Sequence, residues 1–471
     1  MNPRQILPNN PSTKSFSLIP EPAAAWMAIL VLSFLTVASI FAGAGKILNL
    51  AFPAGALAVG AFLYFRYPIL YNGFIWWIWF LVALVRRLAD YHSSYTEPSP
   101  LLLAPYLVTG VTLITVFKHL PKAHRLGGLP FVLPLVGVFY GFLVGLINMP
   151  PFTVTQSLLN WLIPLTYGFH LLVNWRNFPS YYQNMQRTFI WGVLVMGIYG
   201  VIQFLAIPEW DRLWLDSSEM FIAAGRADDS GGMRVWSTMH SGEPFAAVMA
   251  GGLLVLFNKP GILNLWASGA GYLAFLLSSV RSAWIGWFAG LLTLASSLKA
   301  KYQMRLIIIV MVMAVLVIPL ATMEQFSGKL GERFTSLSNL EEDGSLNSRQ
   351  KYFETQIGSA LTSYVGEGIG SGGQDSALLS TLFSLGWLGT ICYVSGMLLL
   401  VFRLFQGGNN SSNLFVGSAR AIVMSCLVRI PVNGGALVGV GGMLLWGFLA
   451  LAIASQKYYQ HQHVVKIAPD R

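Results

Sequence analysis

Charge is scarce in this chain. Asp, Glu, Lys and Arg together make up 10% of the 471 residues, whereas hydrophobic residues make up 55%. Soluble domains carry about 25% charged residues, so this composition excludes an ordinary soluble protein and predicts an integral membrane protein. Short segments of alternating polarity are also missing, which excludes a membrane β-barrel and leaves transmembrane helices.

Cysteine and metal-binding motifs are scarce as well. The two cysteines, Cys392 and Cys426, each lie inside an apolar run, so they indicate neither a disulfide framework nor a metal site. HExxH, CxxC and paired-carboxylate motifs are absent, and no metal or other cofactor is expected. The glycines at 366–373 lack the Lys-Ser/Thr of a Walker loop. The formal charge of +10 does not imply a nucleic-acid partner, because the positive-inside rule explains much of it.

Long apolar runs are what the chain does contain, many of about 16 to 22 residues, enough to span a membrane as helices. The predicted fold class is all-α: a polytopic bundle of about 12–14 spans, with a large periplasmic loop containing an amphipathic helix. The first run lacks an A-x-A cleavage site and is interpreted as a retained anchor. The candidate spans are 24–43, 49–65, 69–86, 101–117, 130–148, 157–173, 188–207, 244–258, 262–279, 283–298, 306–322, 377–402, 419–434 and 436–455.

The charge distribution across these spans predicts the orientation. Seventeen of the 29 basic residues fall in segments predicted to be cytoplasmic, whereas 17 of the 19 acidic residues fall outside them. We therefore expect a multi-pass membrane protein with both termini in the cytoplasm. Its predicted parts are an N-terminal bundle (1–207), a first periplasmic loop (208–243), further spans (244–322), a large periplasmic loop (323–376), and C-terminal spans with a cytoplasmic tail (377–471).

The large loop contains two local patterns. Ser348 to Leu361 places Tyr352, Ile357 and Leu361 near one helical face, which predicts an amphipathic helix at the membrane interface. A glycine run at 366–373 follows and includes Gly370. Glycine allows sharp turns and close approach of the backbone to a ligand, so Gly370 is a candidate substrate-binding residue.

Arg281 is the first candidate for chemistry, because it lies between two apolar spans with almost no loop around it. An arginine at that depth is costly unless it is paired or meets an anion. One interpretation is an interfacial residue that extends to lipid phosphate. The neighbouring Ser278, Ser279 and Ser282 favour an anion-binding site equally well.

Further candidates lie on the same predicted face. Arg234 precedes His240, Ser241 and Glu243 at the entry to a span, and Arg349 begins the predicted amphipathic helix. Either arginine alone is most simply a solvated loop residue. Together with Arg281 they would offer three planar guanidinium groups, which suit a pyrophosphate.

A general base is the remaining requirement of such a site. Asp375 follows the glycine run and opens the segment DSALLSTLFSLGWLG, where it is a candidate helix N-cap and a candidate general base. His240 is a second candidate base, and Glu367 is a weaker third.

The order of these features resembles the O-antigen ligase and O-antigen polymerase superfamily of bacterial membrane glycosyltransferases. The resemblance rests on Arg234 before a span, SVRSAW around Arg281, Arg349 opening the outer loop, and the glycine-rich end of that loop before DSALLSTLFSLGWLG. It covers roughly 230–392, about a third of the chain.

The resemblance implies a protein of the bacterial inner membrane and metal-independent, inverting glycosyl transfer on its periplasmic face. The donor would be a glycan on undecaprenyl pyrophosphate, held by Arg281, Arg349 and Arg234, and the base would stand at the start of the last motif helix. It also implies a membrane-lipid environment and a chain-length regulator as partners.

The chain departs from the ligase pattern at one place. Ligases of this group have His-Asn eleven residues before the helix glycine, whereas counting back from Gly386 reaches Asp375 and Ser376. This favours polymerisation of an O-antigen or exopolysaccharide repeat over transfer to lipid A-core. A solute or bicarbonate-type transporter is the alternative of another class, and the near absence of carboxylates from the predicted spans counts against ion-coupled transport.

Overall fold

A computed structural model describes residues 22–218, 233–257, 261–298, 354–372, 375–406 and 414–467, together with residues 303, 304, 307, 308 and 311. Within these ranges the chain is helical and contains no strand. Nine helical stretches of the described residues are long and apolar enough to cross a membrane, and one of them is the interrupted stretch Pro100–Leu126. The chain is therefore an all-α polytopic membrane helix bundle, as predicted.

The described helices overlap the predicted spans, although Phe178–Ala206 begins ten residues before the predicted span 188–207 and Gly439–Ile467 ends twelve residues after the predicted span 436–455. The predicted span 306–322 lies almost entirely outside the described residues. The first part of the chain contains α1 (Ala23–Phe41), α2 (Gly45–Arg66), α3 (Pro68–His92), α4 (Ala104–Gly110), α5 (Leu113–His119), α6 (Ala123–Leu126), α7 (Leu129–Asn148), α8 (Pro151–Val173), α9 (Phe178–Ala206) and α10 (Glu209–Ser217). The second part contains α11 (Gly242–Leu256), α12 (Ile262–Leu277), α13 (Arg281–Ser297), α14 (354–362), α15 (Ala377–Gln406), α16 (Leu414–Arg429) and α17 (Gly439–Ile467).

The predicted span 101–117 is interrupted rather than continuous. A 3₁₀ turn at Pro100–Leu103 leads into α4, and a break separates α4 from α5. Buried threonine hydroxyls bond to main-chain carbonyls at this break: Thr112 donates to the carbonyl oxygen of Thr109 at 2.7 Å. Such local bonds compete with the regular helical pattern, which explains why an apolar run forms two short helices.

α7 presents a row of glycines to α15. Gly137, Gly141 and Gly145 recur every four residues, the small-residue spacing that lets helix backbones approach closely in membranes. A Cβ added to Gly137 would lie 2.5 Å from the carbonyl oxygen of Gly389 in α15. A Cβ on Gly145 would lie 2.6 Å from the carbonyl oxygen of Ile369. No side chain fits at either position, so the glycines are what allows the close approach.

α15 is broken at Gly386, whose backbone is non-helical with φ 58° and ψ −174°. The non-helical segment 364–370, which we call the inserted segment, lies between this break and α7. The backbone N–H of Glu367 donates to Phe383 at 2.7 Å, that of Ile369 to Gly141 at 3.0 Å, and that of Trp387 to Tyr364 at 3.0 Å. Non-helical backbone within a membrane bundle requires such internal partners.

The predicted amphipathic helix is described only in its second half, as α14, because Tyr352 lies outside the described residues. Ala360 is the fully buried residue of this helix and belongs to a cluster with Leu379, Leu382 and Phe383. Leu361 is 46% exposed and Ile357 is half-buried. α14 therefore contacts the bundle through Ala360, and the placement of the face through Ile357 and Leu361 at the membrane interface stays a prediction.

Candidate functional site

The segment 235–239, which we call the pinned turn, precedes α11 and is held to the bundle by hydrogen bonds. The side-chain oxygen of Gln203 accepts from the backbone N–H groups of Trp236, at 3.1 Å, and Ser237, at 2.8 Å. The Ser237 hydroxyl donates to the carbonyl of Met196, and the Thr238 hydroxyl donates to the carbonyl of Phe80, each at 2.6 Å. Trp236, Ser237 and Thr238 are fully buried, so this connection is part of the core.

A buried ion pair supports the pinned turn. Nη1 of Arg87, near the end of α3, donates to Oδ1 of Asp211 in α10 at 2.5 Å, and both side chains are almost completely buried. Nη2 of Arg87 donates to the carbonyl oxygen of Ser237 at 2.6 Å. Oδ2 of Asp211 accepts from Tyr199 at 2.9 Å and Gln203 at 2.7 Å. A buried charge pair is tolerated when its remaining donors and acceptors are satisfied, and these bonds supply that condition.

Arg86 forms a second network beside the first. It donates to Asp90 at 3.3 Å and to Glu97 at 2.6 Å. Its guanidinium also lies 4.6 Å from the ring centroid of Trp214, a cation–π contact. Burial opposes ionisation of Glu97, but hydrogen bonds from Arg86 and Tyr95, with the charge of Arg86, outweigh it and lower the pKa of that carboxyl. Glu97 is therefore an ionised partner of Arg86 at neutral pH.

His240 follows the pinned turn and packs against this second network. Its ring lies 5.3 Å from that of Trp214, centroid to centroid, and it keeps an exposed edge. Desolvation by the surrounding protein lowers the pKa of His240; the charges of Arg86 and Arg87 lower it further, and Glu97 partly opposes them. His240 is thus a neutral imidazole near pH 7, a form that can accept a proton.

Arg281 begins α13, directly after the turn at 278–280. Ser279 adopts a left-handed backbone with φ 53°, and the buried hydroxyl of Ser278 donates to the carbonyl of Phe275 at 2.6 Å. Arg281 and Ser282 are half-buried. The turn is therefore a defined structure that fixes the position at which the arginine emerges.

The pinned turn and the Arg281 turn lie side by side. The backbone N–H of Val235 donates to the carbonyl of Leu277 at 3.1 Å. A Cβ on Gly242 would lie 3.8 Å from Val280 and 3.9 Å from the carbonyl of Ser278. Half-buried Arg234 and exposed His240 border the pinned turn on its two sides. The structure thus brings the segments carrying four predicted residues to one end of the bundle: Arg234, His240, Arg281 and Ser282.

A further ion pair lies next to this group. Nη2 of Arg429, at the end of α16, bonds to Oε1 of Glu243 in the first turn of α11, and Nδ2 of Asn433 donates to the same oxygen at 2.6 Å. Arg429 is buried, whereas Glu243 is partly exposed. A Cβ on Gly286 in α13 would lie 2.8 Å from Cδ of Arg429, so Arg429 also packs against the helix that begins with Arg281.

Gly370 and Asp375 belong to a second group, on the α7–α15 side of the bundle. Gly370 has φ 107°, and a Cβ there would lie 3.5 Å from Thr153. Asp375 is exposed and precedes α15. The backbone N–H of Ser380 donates to the carbonyl of Ser376 at 2.9 Å. Ser376 directly precedes α15 and its carbonyl accepts this bond, whereas its buried hydroxyl has no hydrogen-bond partner among the described residues, so the capping role of Asp375 stays a prediction.

The turn formed by residues 430–437 connects the two groups. It contains Asn433, which bonds to Glu243, and the carbonyl of Leu437 accepts from the Tyr393 hydroxyl of α15 at 3.3 Å. Arg349 lies outside the described residues. Glu367 uses its main chain to bond to Phe383 and Asn148, and its side chain is exposed.

No group of three potential metal ligands occurs among the described residues. Arg234, Arg281, Ser282 and His240 instead supply two guanidinium groups, a hydroxyl and an imidazole, which are groups that bind anions and move protons.

Sequence reasoning missed the buried arginines. The sequence singles out Arg86, Arg87 and Arg429 only as members of the total charge, yet each is almost completely buried and ion-paired. A signal was available: outside the two long loops only five basic residues lie on the predicted outer face, namely Lys46, Arg86, Arg87, Arg281 and Arg429. Basic residues on the outer face depart from the positive-inside rule, so each of them is expected to have a specific structural or functional role.

The chain matches no protein-family model, and no curated protein matches it significantly.

Proposed function

We propose that this protein is a membrane glycosyltransferase of the O-antigen polymerase type. It would extend oligosaccharide repeats carried on a polyprenyl pyrophosphate, at the end of the bundle where the pinned turn meets the Arg281 turn. The donor pyrophosphate would lie against Arg281, Ser282 and Arg234. The reaction needs no metal, because guanidinium groups can stabilise the charge that develops on the leaving pyrophosphate.

The observation that carries the proposal is the side-by-side arrangement of these two turns. A site for a pyrophosphate must hold its cations in fixed geometry, since binding energy is lost when long side chains have to be ordered by the ligand. Here the Gln203 and Arg87 bonds fix one turn, and the 3.1 Å bond from Val235 to Leu277 attaches it to the other. Arg234 and Arg281 thus extend from rigid backbone.

The acceptor hydroxyl must lose a proton, and two groups remain candidates for that step. His240 has a lowered pKa and lies directly beside the pinned turn. Asp375 is exposed and lies two residues before the first residue of α15. A polymerase would use a growing glycan as the acceptor, whereas a ligase would use lipid A-core. The Asp-Ser pair at 375–376 favours the polymerase.

The test is glycan profiling of a strain that lacks the gene and carries a plasmid copy. Wild type should restore long polymer. Arg281→Lys should reduce polymer formation by about 100-fold or more, because lysine cannot make the bidentate contact that a guanidinium makes with phosphate. His240→Gln and Asp375→Ala distinguish the two candidate bases: the variant of the true base should accumulate unpolymerised repeats.

Matched controls come from α10, where Arg212 and Asp216 are exposed on the same predicted face. Arg212→Lys and Asp216→Ala should restore polymer like wild type. An unchanged polysaccharide in the deletion strain, or full activity of Arg281→Lys, would refute the glycosyltransferase assignment.

A solute transporter is the second candidate, and the break in α15 specifically favours it. Discontinuous helices whose freed backbone groups line a cavity are a hallmark of secondary transporters, and α15 is broken at Gly386 with segment 364–370 inserted beside it. Counterflow of labelled bicarbonate or sugar in proteoliposomes distinguishes the two functions. Saturable uptake with an unchanged polysaccharide profile would replace the first proposal.

A further inference from the structure

Two cations from distant parts of the chain converge at the opposite end of the bundle, around Gly127. Nζ of Lys457, in α17, donates to the carbonyl oxygen of Leu126. Nη1 of Arg403, in the last turn of α15, donates to the carbonyl oxygen of Gly127 at 3.4 Å. A Cβ on Gly127 would lie 3.0 Å from that Nζ and 3.8 Å from that Nη1. The two positive charges therefore flank a single point.

No negative charge offsets this pair in the segments around it. Residues 118–128, 174–187, 403–406 and 456–462 contain no Asp or Glu, and Lys122 and Arg125 add exposed positive charge on the same connection. Among the described residues neither Arg403 nor Lys457 has a carboxylate partner. An ammonium group has three donors and a guanidinium five, so both cations retain donors beyond their single carbonyl bond. The arrangement calls for an anionic acceptor.

The apolar surroundings indicate where that acceptor comes from. Phe402 and Phe405 flank Arg403 and are 62% and 44% exposed, and Leu129, next to the Gly127–Gly128 connection, is 54% exposed. Trp175 lies nearby in the fold, with its ring 5.0 Å from the Arg176 guanidinium and 5.5 Å from the His461 ring. Tryptophan and basic residues of this kind mark the membrane interface. A ligand at Gly127 thus has cations at its head and apolar side chains along its tail.

We propose that Arg403 and Lys457 form a binding site for the phosphate of an anionic phospholipid, in the leaflet that meets this end of the bundle. Basic pockets between transmembrane helices on one membrane face bind lipid head groups in this way. The lipid would join the end of α15, the end of α17 and the start of α7, three helices that the pair already links through carbonyl bonds. The proposal does not depend on the glycosyltransferase assignment.

The test measures retention of phosphatidylglycerol by the full-length protein, purified in detergent and titrated with mixed micelles of phosphatidylglycerol or phosphatidylcholine. Arg403 is exposed, so Arg403→Gln should fold normally. We expect it to weaken phosphatidylglycerol binding about fivefold, the effect of one basic residue near a membrane surface, and the Arg403→Gln/Lys457→Gln double variant to weaken it further. Phosphatidylcholine should bind all variants equally.

The matched control is Arg66→Gln, since Arg66 is an exposed arginine at the end of α2 on the same predicted face. It should bind phosphatidylglycerol like wild type. Equal loss in Arg66→Gln, or full retention in Arg403→Gln and the double variant, would overturn the proposal. If inorganic phosphate bound with the same dependence on Arg403 and Lys457, and the lipid added nothing to that binding, the site would be assigned to a free anion and the lipid assignment would be overturned.

Discussion

The Arg87 guanidinium and the Asp211 carboxylate are 124 residues apart in the sequence and 2.5 Å apart in the fold, with almost no exposed surface between them. This pair joins α3 to α10, and through Ser237 it also holds the turn beside which Arg234 and His240 emerge. The geometry of the proposed site thus depends on residues that would not touch the substrate.

Removing one partner of this pair should be strongly destabilising. Asp211→Asn leaves Arg87 buried beside a neutral group, and breaking a buried pair costs about 3–5 kcal/mol. We expect a large drop in melting temperature in detergent. Asp216→Asn is the control, because Asp216 is an exposed carboxylate of the same helix and should change little. Similar melting temperatures for the two variants would show that the ion pair is dispensable.

Three glycine-to-alanine substitutions separate backbone conformation from steric fit. At Gly358 a Cβ meets nothing within 4 Å and the residue is helical, so alanine should be neutral or stabilise by up to about 1 kcal/mol. At Gly372 space is free but φ is 103°, and alanine should cost about 1–2 kcal/mol.

At Gly368 both penalties act, because φ is 94° and a Cβ would lie 2.2 Å from the backbone nitrogen of Gly145. Alanine there should be the most damaging of the three. The measurement is thermal unfolding together with polymer formation in the complemented strain. A Gly368→Ala variant at least as stable as Gly372→Ala would contradict the packing of the inserted segment against α7.

The lowered pKa of His240 makes stability depend on pH in a defined direction. The unfolded chain has a histidine pKa of about 6.5, above that of folded His240. As pH falls below about 6.5 the unfolded state binds the proton first, so the free energy of unfolding decreases. Melting curves between pH 8 and 5 should show a steeper loss for wild type than for His240→Gln. Parallel curves would show that His240 keeps an ordinary pKa.

The Glu243–Arg429 pair gives a prediction with an internal rescue. Glu243→Ala leaves the buried Arg429 without a carboxylate and should lower both yield and melting temperature, by about 3 kcal/mol or more. Replacing both residues, as Glu243→Gln/Arg429→Met, removes the charge as well as its partner and should recover part of the loss. A double variant no more stable than Glu243→Ala would argue against charge burial as the cause.

The fold could be predicted largely from hydrophobic length. A run such as 377–402 must form a helix because its backbone groups have no other partners in lipid, and α15 duly occupies 377–406. The same run gives no sign of the break at Gly386, because a glycine within an apolar helix is unremarkable until its neighbour in space is known. That neighbour, Val365, is fixed by tertiary packing.

The candidate site was predictable only where the local sequence singled out a residue. Arg281 and Arg234 could be singled out from their immediate sequence, whereas the bond between Gln203 and the pinned turn spans more than 30 residues and follows no local pattern. The role of Asp375 stays a prediction, because two polar residues stand before the helix and the local sequence does not tell which of them caps it.

The glycine row of α7 also bears on how the protein is made. Tyr140 in that helix bonds to the carbonyl of Val365, a residue synthesised 225 positions later. At a translation rate of about 5–20 residues per second, the inserted segment that packs against α7 is synthesised about 10 to 45 s after α7 itself. Lipid acyl chains must cover the open row during that interval. A nascent chain stalled before residue 360 would therefore expose the glycine row of α7 to neighbouring proteins in the membrane. Quality-control proteases would act on the protein at that stage.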